Sequence, residues 1–211
     1  MSEKISWKIN LEFCKLLNSS KKKILIFAGP SGSGKSFIAK YFLDKFHSLQ
    51  VVKNFTTRRR REEDGVGHFE YISESQFKKM ADENQFFMAR TNRSPYYGYH
   101  IDDVKKIFEN KQVPLFMFRH SGLQCLTEYV THLYVCFCES DIAQLLTNSQ
   151  DVEGTVSYEE LKKTLEINKD IFAELTKSPD ARCCVVVNKY DDKILLNEGL
   201  IELISEVVID A

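Results

Sequence analysis

The sequence predicts an α/β fold in which a largely parallel sheet is covered by helices on both faces. Two observations carry this. Short apolar runs rich in β-branched and aromatic residues alternate with stretches of helical period, and a glycine-rich segment stands where one such run gives way to a helix. Continuous apolar runs suit strands buried on both faces, the condition of a parallel sheet. In such folds ligands bind beyond the carboxyl ends of the strands.

Taken in order, residues 5–17 place Ile5, Ile9, Leu11, Phe13, Leu16 and Leu17 at helical spacing, which predicts a leading helix before the basic linker Lys21-Lys22-Lys23. Strands are expected at 24–28, 51–55, 113–118, 132–138 and 183–187. Helices are expected at 35–46, 102–110, 122–130, 139–147, 158–177 and 193–207. Residues 57–99 break the rhythm with a charged loop, a short strand at Phe69-Glu70-Tyr71-Ile72, a helix from Ser73 to about Glu83, and strand-like pieces at 86–90 and 96–100. Ser73 and Gln76 form a capping box for that helix. This reads as an inserted antiparallel subdomain too small to hold a core alone. The polar segment 147–154 leads into a helix capped by Ser157 and Glu160, and a flexible polar segment near a phosphate site is a candidate lid.

A chain of 211 residues can bury a full core as one α/β domain with small insertions. Its 29 basic and 30 acidic residues leave a net charge of −1, so no global field draws it to nucleic acid or to an anionic membrane. The first residues lack the apolar core of a signal peptide, and no stretch reaches membrane-spanning length. Six cysteines occur without a C-x-x-C pair, which argues against zinc and for buried reduced thiols in a cytoplasmic protein. Nothing in the sequence sets the oligomeric state.

The glycine-rich segment reads Gly29-Pro30-Ser31-Gly32-Ser33-Gly34-Lys35-Ser36 and satisfies G-x-x-x-x-G-K-[ST] at each fixed position. It follows the apolar run Ile24-Leu25-Ile26-Phe27-Ala28 and opens a helix, the context this P-loop motif requires. Glycines let successive N–H groups turn inward on phosphate oxygens, and the helix aims its positive end at the same point. Lys35 is then expected to reach the β- and γ-phosphates of ATP, and the Ser36 hydroxyl to ligate Mg²⁺. The adjoining Phe37 joins this donor-binding set.

A second anion site is suggested by Thr56-Thr57-Arg58-Arg59-Arg60-Arg61-Glu62-Glu63-Asp64-Gly65. Four arginines in a row could form a nucleic-acid patch, but the three carboxylates that follow cancel most of the local field. A fork of guanidiniums for a second phosphate suits arginine's bidentate geometry better.

With these residues in view, the chain resembles the guanylate kinases. GPSGSGKS, TTRRRREEDGVGHFEYIS, the YYGY element and VVVNKYDD fall in that family's order and spacing from about Lys23 to the C-terminus. The resemblance implies a P-loop NTPase-type core with an inserted acceptor-binding subdomain at 57–99 and a lid at 145–165, all within 23–211, preceded by an N-terminal helix and linker at 1–22. It implies phosphoryl transfer from ATP with Mg²⁺ to a nucleoside monophosphate, with nucleotides as the binding partners. Arg58 and Arg61 would grip the acceptor phosphate, helped by Tyr97, and Asn188 would lie near the donor adenine. The family's other phosphate-binding tyrosine aligns with Phe69, a lost hydrogen bond worth roughly 1.5–3 kcal/mol to a charged partner.

Three departures bear on the acceptor. The guanine-reading serine, glutamate and second serine align with Asn54, Met88 and Tyr99, and Met88 offers no carboxylate to the ring N–H and exocyclic amine. The family's D-x-D-x-x-G element is replaced by Met117-Phe118-Arg119-His120-Ser121-Gly122, so that Arg119, as a substrate-binding residue, either holds a more anionic acceptor or a phosphate, or it pairs with a neighbouring carboxylate; His120 reads as an ordinary loop histidine. The lid arginines are replaced by Leu145-Leu146-Thr147-Asn148-Ser149 and by Thr164. Lys162, Lys163 and Lys169 either substitute or form a solvated face, and Arg90 and Arg93 are other suppliers. Two further activities stay open: a kinase of a related phosphorylated metabolite such as a ribosyl phosphate, and a catalytically impaired module that binds phosphorylated ligands.

Overall fold

Two five-stranded sheets order the chain. The computed structural model describes residues 6–61, 64, 68–150, 157–187 and 198–209, with the backbone alone for 148–150 and 209. The chain opens with β1 (Lys8–Ile9), α1 (Leu11–Ser19), β2 (Ile24–Ala28), α2 (Lys35–Lys45) and β3 (Leu49–Val51). Next come β4 (Asn54–Thr56), β5 (Phe69–Tyr71), α3 (Glu74–Asp82), β6 (Phe86–Arg90), β7 (Tyr97–His100) and α4 (Ile101–Glu109). It closes with β8 (Val113–Phe118), α5 (His120–Thr127), β9 (Leu133–Glu139), α6 (Ile142–Gln150), α7 (Tyr158–Leu175), β10 (Arg182–Val187) and α8 (Glu198–Ile209).

The larger sheet has the order β10-β9-β2-β8-β3, parallel at every pairing. β2 lies at its centre with every residue buried, as its unbroken apolar run requires. Its side chains alternate between two cores. Ile24, Ile26 and Ala28 join Phe13, Val104, Leu123 and Ile171 on the face covered by α1, α4, α5 and α7. Leu25 and Phe27 join Ile38, Phe42, Leu200 and Ile204 on the face covered by α2 and α8.

The smaller sheet, β1-β6-β7-β4-β5, is antiparallel except for the parallel pair β4–β5. The inserted region therefore departs from the purely antiparallel expectation, and it recruits β1 and β4 from outside 57–99. It also holds a small cluster of its own, with Phe77, Phe86 and Ala89 buried beneath α3. The run expected as one strand at 51–55 divides, because Val51 pairs with Leu115 in the large sheet whereas Asn54 pairs with Tyr99 in the small one. Ser73 caps α3 by accepting from the Gln76 N–H, and Ser157 with Glu160 completes the reciprocal box at the start of α7. Helix α8 starts at Glu198, and residues 193–197 of the expected helix fall outside the described residues.

The N-terminal segment differs most from expectation. Residues 8–9 form a strand against β6, and the helix starts only at Leu11, where the Asn10 side chain accepts from the Phe13 N–H. A two-residue strand leaves no periodicity to read, so the pattern at 5–17 registered only the helix. Trp7 ties this strap to the main domain: its Nε1–H donates to Ser121 Oγ at 3.3 Å and its ring meets Phe118 edge-on at 6.3 Å. Asn10 N–H donates to Phe87 O at 2.9 Å. The strap thus bridges β6 of the small sheet and α5 of the large one.

All six cysteines are free; Cys14, Cys136 and Cys138 are buried as expected, whereas Cys125, Cys183 and Cys184 are only partly so. Among the described residues no helix is long and apolar enough to cross a membrane. Trp7→Ala should lower stability by about 2 kcal/mol, with Trp7→Phe recovering most of it, because a large partly buried ring is lost; urea unfolding followed by far-UV circular dichroism reads this directly.

Candidate functional site

The phosphate loop forms where β2 ends. Gly29 N–H donates to Phe118 O at 3.1 Å, pinning the loop to the end of β8. A Cβ at Gly29 would lie 2.3 Å from Cys138 O, a backbone atom that cannot step aside, so only glycine fits. Gly32 and Gly34 take φ of 77° and 83°, left-handed values that favour glycine. Ser33 is buried and its hydroxyl donates to Pro30 O at 3.0 Å, holding the turn.

Lys35 folds over the loop, donating from Nζ to Gly29 O at 3.0 Å and to Pro30 O at 2.6 Å. Burial pulls its pKa down to about 8; nearby Cys138 works the other way, and the Arg119 guanidinium adds to the fall. An anion at the loop would favour the charged ammonium, since opposite charge stabilises it. Ser36, exposed in the first turn of α2, makes among the described residues only a 3.9 Å contact from Oγ to Met117 Sδ, so its hydroxyl can take a better partner. Among the described residues no cluster of three acidic, histidine or cysteine side chains is placed to hold a metal ion. Phe37 is 56% exposed beside the loop and can meet a ligand.

The second site lies on one face of the small sheet. Register places Arg90, Tyr97, Thr56 and Tyr71 in one row across β6, β7, β4 and β5, and Met88, Tyr99, Asn54 and Phe69 in the next. Arg58 leaves β4 into this face. Its guanidinium stacks over Phe69 at 4.5 Å and forms a two-pronged pair with Asp64, Nη1 to Oδ2 at 2.7 Å and Nη2 to Oδ1 at 2.5 Å. Both side chains are 8% exposed. Asp64 also accepts from the Arg61 N–H at 2.9 Å and from the Tyr71 hydroxyl. Burial alone would raise its pKa, but these bonds, Arg58's first, bring it down to about 2. Burial and the bond to Asp64 push Tyr71 up to about 12. Arg58 spends three N–H donors on Asp64 and Arg59 O, so among the described residues its Nε–H and one Nη2–H remain for a ligand.

The two sites meet at the carboxyl end of β8. Tyr99, on the small sheet, donates its hydroxyl to Met117 O at 2.9 Å, one residue before the carbonyl that anchors Gly29. Arg119 follows, and its Nη2 donates to Ser31 Oγ at 3.1 Å. This bond brings the Arg119 head beside the glycine-rich loop.

The expected site residues fall in two regions: the loop from Gly29 to Phe37 after β2, with Arg119 against Ser31, and Asn54, Phe69 and Tyr97 on the small sheet, with Arg58 and the Arg61 N–H at Asp64. Met88 and Tyr99, expected to line the acceptor pocket, lie instead within the core at 0% and 2% exposure. Tyr99 packs edge-on against Phe116 and Phe118. Its hydroxyl is held by Met117 and by Asn54, whose Nδ2 donates at 3.1 Å. Asn188 lies outside the described residues, as do 151–156 of the expected lid; Lys162, Lys163 and Lys169 are exposed on α7. His120 is partly buried, and burial first, with Arg119 and Lys163 beside it, lowers its pKa.

Asp64 and Tyr71 were missed. The run Glu62-Glu63-Asp64 read as a screen for the arginines, whereas Asp64 is their organiser. Tyr71 could have been found from the strand alternation, which puts it on the same face as Phe69.

The sequence model of the guanylate kinase family matches residues 21–195. The guanylate kinase of Helicobacter pylori is 29% identical over 143 residues, covering 67% of this chain and 69% of the relative. That of Sulfurimonas denitrificans is 36% identical over 102 residues, covering 47% and 49% respectively. Among solved structures, the guanylate kinase of Anaplasma phagocytophilum superposes with a TM-score of 0.59 at 16% identity, covering 90% of this chain and 85% of that one. This likeness bears on the fold.

Asp64 provides a pH test. A carboxylate with a depressed folded pKa stabilises the protein above its unfolded value near 4, and that stability is lost as pH falls toward 2. Melting curves from pH 6 to 2.5 should therefore fall more steeply for the wild type than for Asp64→Asn. The difference is on the order of 1–2 kcal/mol after allowance for solvent screening.

Proposed function

The chain belongs to the guanylate kinase family, and we propose that it transfers the γ-phosphoryl group of ATP to the phosphate of a nucleoside monophosphate. One observation supports this reading: the glycine-rich loop is tied to Phe118 O, and the small sheet that carries the Arg58 cluster is tied to Met117 O through Tyr99, both at the carboxyl end of β8.

The acceptor phosphate is already ionised near neutral pH, so no base must deprotonate it. An acceptor oxygen attacks the γ-phosphorus, the bond to the β–γ bridging oxygen breaks, and the leaving charge collects on the β-phosphate. The difficulty is bringing two anions together, which takes cations and positioning. Arg58, oriented by Asp64, would grip the acceptor with Arg61 and Tyr97. Lys35 and the loop N–H groups would hold the donor phosphates. Mg²⁺, when bound at Ser36, supplies charge neutralisation.

The base end of the acceptor face favours recognition other than guanine reading. Its polar group is Asn54, whose Oδ1 is enclosed without a hydrogen-bond partner among the described residues. Phe69 offers a stacking surface, while Tyr99 and Met88 fill the interior behind them. The same occupied volume favours the second reading, a ribosyl phosphate or similar acceptor with little or no base. Free thiols fit a reducing compartment such as the cytoplasm. Arg58, drawn onto Asp64, weakens the arginine run as a nucleic-acid surface.

Coupled ADP release over a panel of nucleoside monophosphates and phosphosugars tests the proposal. A nucleoside monophosphate standing out supports it, a phosphosugar standing out supports the second reading, and ATP binding without turnover on any acceptor points to an impaired module. Lys35→Ala should cut turnover by about 10²-fold or more. Arg58→Ala should raise the acceptor KM by about tenfold or more while leaving the ATP KM within about threefold.

A further inference from the structure

Residues 6–20 touch both sheets while belonging to neither proposed anion site. On the small sheet, β1 pairs with β6, Lys8 opposite Ala89 and Ile9 opposite Met88, and the Asn10 N–H donates to Phe87 O at 2.9 Å. The Ser6 N–H donates to Asn92 Oδ1 at 3.4 Å, just past the end of β6. On the other side, Trp7 Nε1–H donates to Ser121 Oγ at 3.3 Å, and the Trp7 carbonyl accepts from Cys125 Sγ at 3.7 Å. Phe13, Cys14 and Leu17 of α1 are then buried in the core that holds Leu123, Leu126 and Val130. Asn18 closes the segment, donating to Tyr129 O and accepting from the Thr131 N–H.

The placement of these contacts gives them leverage. The small sheet has the order β1-β6-β7-β4-β5. β4 follows β3 of the large sheet after Val52 and Lys53, and β7 leads directly into α4, which packs on β8. β4 and β7 are neighbours, so these two crossings define a hinge line rather than a fixed plane. β1 lies at an edge of the sheet, away from that line, and the strap fastens this edge to the core. The seat of the strap is shared: Phe118 meets the Trp7 ring at 6.3 Å and the Tyr99 ring at 5.2 Å, and its carbonyl holds the Gly29 N–H.

We propose that this N-terminal strap fixes the tilt of the small sheet against the large one, and that Trp7 is a positioning residue that sets the Arg58 face at its distance from the glycine-rich loop. The effect on turnover rests on the phosphoryl-transfer reading, whereas the tilt itself does not. A misplacement of about 1 Å between reacting groups can cost roughly 10²-fold in rate. A loosened tilt therefore reaches the chemistry while leaving each binding surface intact.

Spin labels on noncanonical side chains at Lys79 of α3 and Glu174 of α7, both exposed, report the tilt by pulsed dipolar EPR with the native cysteines left in place. Trp7→Ala should broaden the distance distribution about twofold, and Trp7→Phe should stay near the wild-type width. In turnover, well below each variant's melting temperature, Trp7→Ala should lower kcat by about tenfold or more with ATP affinity within about threefold, and Trp7→Phe should recover most of the rate. Trp7→Leu keeps apolar volume at the seat but loses the ring and its N–H, and it gives the same comparison where Trp7→Ala does not fold. A distribution that neither Trp7→Ala nor Trp7→Leu broadens overturns the proposal. So does a broadened one in an active enzyme whose kcat is unchanged, since the strap would then only add stability. A wild-type chain that turns over no acceptor overturns the phosphoryl-transfer reading instead, and the distance distributions still decide whether the strap sets the tilt.

Discussion

The carboxyl end of β8 is the constraint on which the site depends. The Phe118 carbonyl anchors the first glycine of the phosphate loop, and the Met117 carbonyl anchors the small sheet through the Tyr99 hydroxyl. The two proposed anion-binding surfaces, on different sheets, are thus referenced to adjacent peptide units of one buried strand. For a reaction between two phosphates this matters more than any single side chain, because effective concentration falls steeply when reacting groups are misplaced. The strand is rigid where it serves this purpose: Leu115, Phe116 and Phe118 are buried, and the aromatic rings of Tyr99, Phe116 and Phe118 pack together.

The two surfaces manage their charge differently. On the proposed donor side Lys35 rests on the carbonyl oxygens of Gly29 and Pro30. On the proposed acceptor side Arg58 is already paired with Asp64, a low-pKa carboxylate enclosed with it. Such a pair adds little net attraction for an anion, but it fixes the plane of the guanidinium and leaves chosen N–H groups facing outward. Breaking an enclosed pair by removing one partner is costlier than the pair's net contribution, which makes Asp64 a positioning group with structural weight.

What could be read from the chain follows the range of the interactions. The parallel core and the phosphate loop were legible because β2 is a continuous apolar run and because the glycine spacing has a local steric cause, visible at Gly29. The internal organisation of the arginine block was not legible, since no periodicity encodes the pairing of Arg58 with Asp64. The division of 51–55 between two sheets depends on partners at Leu115 and Tyr99, tens of residues away. Tyr99 and Met88 were placed at the pocket by alignment to polar positions; in this chain they are large and apolar enough to be drawn into the core.

β1 has a consequence for the behaviour of the isolated domain. β6 is almost wholly buried, and its outer hydrogen-bonding edge is covered by residues 8–9. Stripped of that short partner, β6 would present unpaired amides beside apolar side chains, the combination that invites intermolecular strand addition. A shortened chain beginning at the phosphate-loop strand would accordingly be sticky rather than merely less stable, and the extra residues act as a guard against self-association as much as a brace.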